Sequence, residues 1–271
     1  MPTITPPLVD TTTGTNQGKG GDTLTISGSG FTGATKVNFG AKSITSGFTV
    51  NGAGTTVTVT SIPVLCSGQV PVSVTVGSIT SNSAPFFYIA QPVCNTVTNN
   101  QGPAGATSVT LSGSGFLTAT GVTFTGVGPA TGTFPPTSDT QLTVTTPAHT
   151  TPIAGCTDTV SVVVTSAGGT STPSGSGSQY TFYDAPGTPT VGPASGPVGS
   201  GVTIDGTCLV GATEVAFITG TTVVPADFDQ VSNTQITATV PNSLVVGTTY
   251  DVRVTTPGGQ GNAVLGFAVT A

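Results

Sequence analysis

The residues able to do chemistry are few and far apart. The single histidine, His149, lies in Pro147-Ala-His-Thr-Thr-Pro152, a stretch of loop composition bounded by prolines. Base catalysis there would need a carboxylate to orient the imidazole and a nucleophile beside it. Asp158 and Asp139 are its neighbours only in sequence, so the stretch reads as a solvent-exposed loop. A zinc site needs roughly three or four His, Cys or carboxylate ligands, and this sequence gathers none. Asp227-Phe-Asp229 is spaced so that two carboxylates could share a calcium ion. Calcium takes about six to eight oxygens, so a solvated loop before the next strand is the plainer reading. No catalytic residue, cofactor or metal ligand is assigned on these grounds.

Gly28-Ser-Gly30-Phe-Thr-Gly33 spells G-x-G-x-x-G. A dinucleotide fingerprint needs a helix immediately afterwards to present its N-terminus to the pyrophosphate. Here Ala34-Thr-Lys-Val-Asn-Phe39 runs on as an alternating strand, which makes the glycines a turn between strands. Glycan binding would need exposed aromatic platforms. The chain has no Trp, and most of its 12 Phe and 4 Tyr fall at inward positions or strand ends. Phe48, Phe134 and Phe228 lie outside the strongest strands and are the candidates, against packing on a core or a sheet edge. Four cysteines, Cys66, Cys94, Cys156 and Cys208, allow three disulfide connectivities. Four free thiols packed as small hydrophobes are the alternative.

These residues are carried by a repeat. Thr25-Ile-Ser-Gly28-Ser-Gly30-Phe31 returns as Thr110-Leu-Ser-Gly113-Ser-Gly115-Phe116 and as Thr203-Ile-Asp-Gly206-Thr-Cys208-Leu209. Each copy is followed by a second alternating segment: Val37 and Phe39, Val122 and Phe124, Val215 and Phe217. Period-2 alternation marks half-buried strands, and about seven such segments per copy indicate a β-sandwich. Pro71, in Val70-Pro-Val72, is expected at a strand start or an edge, because it has no N–H to give a ladder. The joints Ala90-Gln91-Pro92 and Asp184-Ala185-Pro186 divide the chain into residues 1–90, 91–185 and 186–271.

Composition agrees. Only 5% of the residues are charged, while 39 Gly and 21 Pro supply turns and Thr and Val supply strands. With four Lys and Arg and a net charge of −6, the chain cannot neutralise a row of phosphates, which excludes a nucleic-acid partner. No apolar run is long enough for a membrane span. Met1-Pro2-Thr3-Ile4-Thr5 lacks the basic and apolar regions of a secretory signal. Either a mature protein begins here or export uses another route, as for a virion component.

The glycine turn, Ser138-Asp-Thr-Gln-Leu-Thr-Val-Thr-Thr-Pro147, Ser232-Asn-Thr-Gln-Ile-Thr-Ala-Thr-Val-Pro241 and Val254-Thr-Thr-Pro257-Gly258-Gly259 resemble IPT/TIG domains. These are immunoglobulin-like sandwiches of cell-surface receptors, bacterial surface proteins, some starch-acting enzymes and Rel-type transcription factors. Two departures stand out: Gly77-Ser-Ile replaces the Pro-Gly-Gly segment in the first copy, and Cys208 replaces a glycine in the third. The resemblance implies an all-β rod of three tandem sandwiches, and it is silent about chemistry. By its topology, Cys66 and Cys156 face the following unit, which implies disulfides Cys66–Cys94 and Cys156–Cys208 across the two joints. Disulfides in turn imply an extracellular, cell-surface or virion setting. The expected role is a non-catalytic spacer or assembly subunit that binds protein partners or other copies of itself. A carbohydrate-binding or adhesive module, or the spacer of a larger secreted enzyme, is the alternative.

Overall fold

The structure, a computed structural model, describes residues 8–13 and 16–271. The Met1-to-Thr5 stretch and the side chain of Leu265 lie outside the described residues. Strands dominate, and the helical turns among the described residues are two short 3-10 segments, Ala154–Cys156 and Gly175–Ser178. No helix there is long and apolar enough to cross a membrane.

The strands form three pairs of sheets with the same connectivity in each pair. In the first, Leu8–Thr13, Leu24–Ser29, Thr56–Val59 and Phe48–Val50 lie side by side in one sheet. The facing sheet runs Gln17–Gly18, Ala84–Tyr88, Gly68–Val76, Ala34–Phe39 and Lys42–Ile44. The fingerprint-like glycines join Leu24–Ser29 to Ala34–Phe39, strand to strand, with Gly30 and Gly33 at φ 73° and 79°. That backbone favours glycine, and no helix follows to hold a phosphate.

Alternation puts one side chain in two between the sheets. Leu24, Val74, Leu111, Val162, Ile204 and Val252 are all buried. Each sheet pair encloses its own core, from Leu24 to Tyr88, from Cys94 to Phe182 and from Val202 to Val269. Aromatic rings meet edge to face inside them, as Phe124 does with Tyr180 and Phe217 with Phe267. Pro71 departs from expectation by sitting within Gly68–Val76. Its missing N–H is tolerated because the residue opposite is Pro85 and the ladder to Ala34–Phe39 starts only at Val72.

Truncating Leu111 or Ile204 to alanine should cost about 2–5 kcal/mol by leaving a cavity between packed sheets. Chemical denaturation measures this, and a loss under about 1 kcal/mol would mean that the sheets collapse onto the site.

Candidate functional site

The three cores meet at two short joints, and both joints are built alike. A hairpin of each following unit is laid against the linker that precedes it. In the second unit this hairpin joins Thr157–Ser166 to Gly169–Thr170; in the third it joins Thr249–Thr256 to Gly259–Gln260. Gly168 and Gly258 occupy the same place in these turns, and both are buried. A Cβ on Gly168 would lie 1.9 Å from the carbonyl oxygen of Ala90, and one on Gly258 2.0 Å from that of Asp184. Only glycine permits so close an approach of two backbones. The equivalent residue of the first unit is Ser78, which is exposed.

The second joint is also cross-linked. Cys156 and Cys208 form a disulfide with their Cα atoms 5.2 Å apart. The expected Cys66–Cys94 bond does not form: Cys66 is an exposed free thiol and Cys94 a buried one. Cys94 points inward because the register of its strand shifts between Cys94 and Thr96. Cys94 and Val97 therefore both face the second core. Burial pushes the Cys94 thiol up to about 11. Alternation alone does not reveal a bulge, so this orientation is not legible in the residue pattern.

His149 is not the solvated loop residue expected. Its side chain is 15% exposed, and its ring lies 5.1 Å from that of Phe182. Nε2 is 2.8 Å from Oδ2 of Asp158, and Nδ1 is 2.8 Å from the Thr150 carbonyl oxygen. Both ring nitrogens therefore face acceptors, which suits the doubly protonated imidazolium. The hydrogen bond to Asp158 raises the pKa above 6.5; burial opposes it, while the Thr150 carbonyl and the charges of Asp158 and Asp184 add to it. The same loop is tied to the linker. The Asp184 carboxylate accepts the Ile153 N–H, and the Asp184 N–H donates to the Cys156 carbonyl at 3.0 Å.

The other candidates take structural places. Asp139 accepts the N–H groups of Gly115 and Leu117, both at 3.3 Å, and so shapes the glycine turn. Asp227 and Asp229 line a shallow pocket with Phe228. No group of three or more metal-ligating side chains occurs among the described residues. Phe48, Phe134 and Phe228 are half-buried, each against the core of its own unit. Phe134 also edges a surface groove of about 440 Å³ with Leu117 and Pro135.

The sequence profile described as the IPT/TIG domain matches residues 7–88 and 187–268. No curated protein matches the chain. Among solved structures, one determined with xylogluco-oligosaccharide is similar at 15% identity and TM-score 0.43, over 96% of this chain and 59% of that one. The plexin A4 extracellular region is similar at 14% identity and TM-score 0.37, over 92% and 22%. The Bacteroides ovatus mixed-linkage glucan utilization locus SGBP-B, in complex with mixed-linkage heptasaccharide, has 18% identity and TM-score 0.28, over 87% and 61%. The chain thus spans less than two thirds of each of these proteins.

Two outcomes follow from the joint geometry. NMR titration of His149 should give a midpoint above 6.5 that falls in Asp158→Asn. A raised folded pKa means the pair stabilises fully below the unfolded value, and this is lost as pH rises through the folded one. The stability gap between wild type and Asp158→Asn should therefore be larger at about pH 5.5 than at about pH 8.5; an equal gap would refute the pairing. Gly258→Ala should open the second joint, seen as faster cleavage within residues 184–187 by a non-specific protease. Ser78→Ala should leave the pattern unchanged.

Proposed function

The chain belongs to the IPT/TIG domain family, and from that premise we infer that it is a non-catalytic structural and interaction module. In this reading residues 1–90, 91–185 and 186–271 are three tandem immunoglobulin-like domains. They form a semi-rigid spacer or assembly subunit of an extracellular surface, filament or particle, and their partners are proteins, including further copies of the chain. The observation that carries it is the repeated joint, in which buried Gly168 and Gly258 seat each unit on the linker before it. Residue choice at these points serves the position of one unit against the next. The Cys156–Cys208 disulfide fits an oxidising compartment.

Enzymatic turnover has little to work with. The one histidine has both ring nitrogens engaged by Thr150 and Asp158, which leaves no free nitrogen to activate a nucleophile. A carbohydrate-binding role is the second reading, favoured by the groove that Phe134 shares with Leu117 and Pro135. Polysaccharide pull-down that is lost in Phe134→Ala would support it.

Small-angle X-ray scattering tests the main reading. A compact body of this length would have a radius of gyration of about 18–19 Å, and three domains in a row should give a clearly larger value. A compact value would reject the rod. Ester, glycoside and peptide hydrolysis assays should show no turnover, and turnover abolished by His149→Ala would overturn the non-catalytic assignment.

A further inference from the structure

The two joints share one seat but differ in their locks. Val74, Val164 and Val254 hold the same rung of the long strand, opposite Val37, Val122 and Val215. Counting back equally from them, Cys66, Cys156 and Val246 are equivalent positions. Across the joint, Gly115 and Cys208 are equivalent. Both have positive φ, 74° and 56°, and each precedes a fully buried residue, Phe116 or Leu209. The positions that carry the disulfide of the second joint are thus held at the first by Cys66 and Gly115. Half of the bond is present, and the other half has no side chain.

Packing differs in the same sense. At the second joint a Cβ on Gly211 would lie 3.3 Å from the Tyr183 ring and 3.4 Å from Pro257. Ring, proline and backbone therefore close tightly there. The equivalent residues of the first joint are Ile89, Ala167 and Thr118. A cleft of about 440 Å³ opens beside them, lined by Ser67, linker residues 89–91, Gly115 and Thr118. A second, of about 400 Å³, lies between Val64, Cys66 and Gly168. The glycine seat holds both linkers, and the disulfide is at the second joint, while Cys66 at the first is a free thiol.

We propose that the chain bends at its first joint and is locked at its second, so that the second and third domains form one stiff arm on which the first domain swings. This rests on the three-domain reading given above. The device is built from four positions: Cys156 with Cys208 fixes one joint, and Cys66 with Gly115 leaves the other free. The free thiol of Cys66 stays accessible in this arrangement.

Nitrogen-15 relaxation of the whole chain, fitted domain by domain, tests it. In the wild type, the second and third domains should share one rotational correlation time and the first should have a shorter one. Cys208→Gly should release the third domain. Gly115→Cys should do the reverse. With glutathione disulfide as oxidant, its new thiol and that of Cys66 lose two protons and two electrons, forming one disulfide and two reduced glutathiones. The first domain should then tumble with the other two, and a thiol reductant should free it again. Equal correlation times for all three wild-type domains would overturn the proposal, as would continued coupling of the third domain in Cys208→Gly. If Gly115→Cys fails to fold, the wild-type and Cys208→Gly arms still decide. Scattering separates the two levels: an elongated particle with uniform tumbling rejects only the hinge, whereas a compact particle rejects the three-domain rod beneath it.

Discussion

The close approach of two backbones, hairpin turn against linker, is the constraint on which the arrangement of this chain depends. A carbonyl oxygen under 2 Å from where a Cβ would stand leaves no room for any residue but glycine at position 168. The turn must also present its backbone squarely to the linker, which it can do because both strands of the hairpin extend the larger sheet of the following unit. The contact thus fixes the linker to a sheet and not to a mobile loop. The apolar alternation that builds each sandwich could be met by three units strung on loose tethers. It is the glycine in the turn that makes a tether into a joint.

Much of this was legible in the sequence, and the exceptions have physical causes. The strands of all three units could be read because Thr, Ser and Gly alternate with Val, Ile, Leu and Phe along them, and that pattern has one structural meaning when one face is buried. The glycine turn could be separated from a phosphate loop because a strand, Ala34–Phe39, follows it. Cys94 could not be placed, since a one-residue bulge beside it inverts the facing of every residue before it. His149 reads as solvated in the sequence because the carboxylate that captures it, Asp158, lies in the strand Thr157–Ser166, beyond the rest of the loop. Gly168 and Gly258 were visible as parts of the Gly-Gly segments, yet nothing in the sequence says that a turn glycine faces another unit's backbone. The contrast with Ser78 in the first unit is the one sequence signal, and it has meaning only once the contact is known.

The outer faces of the sheets explain how so few charges suffice. Among the described residues there are two ion pairs, Lys19 with Asp22 and His149 with Asp158. In their place, hydroxyl pairs cross between strands: Thr110 with Thr143 at 3.1 Å, Thr159 with Thr181 at 2.9 Å and Thr75 with Thr80 at 2.9 Å. The Asn38 side-chain amide donates hydrogen bonds to the hydroxyls of Ser73 and Thr75. Cross-strand hydroxyl pairs contribute about 0.2–1 kcal/mol each, comparable to an exposed ion pair, but they are neutral and salt does not screen them. The sandwiches accordingly owe little to ionic strength. The Lys19–Asp22 pair lies beside the first joint, where Lys19 reaches toward Gly169 of the second unit. The His149–Asp158 pair braces the loop that carries Cys156 at the second. Both charged contacts are therefore placed where units meet and not where sheets are held together. Hydroxyl pairs and buried valines hold the sheets together, while the two ion pairs and the disulfide lie at the joints.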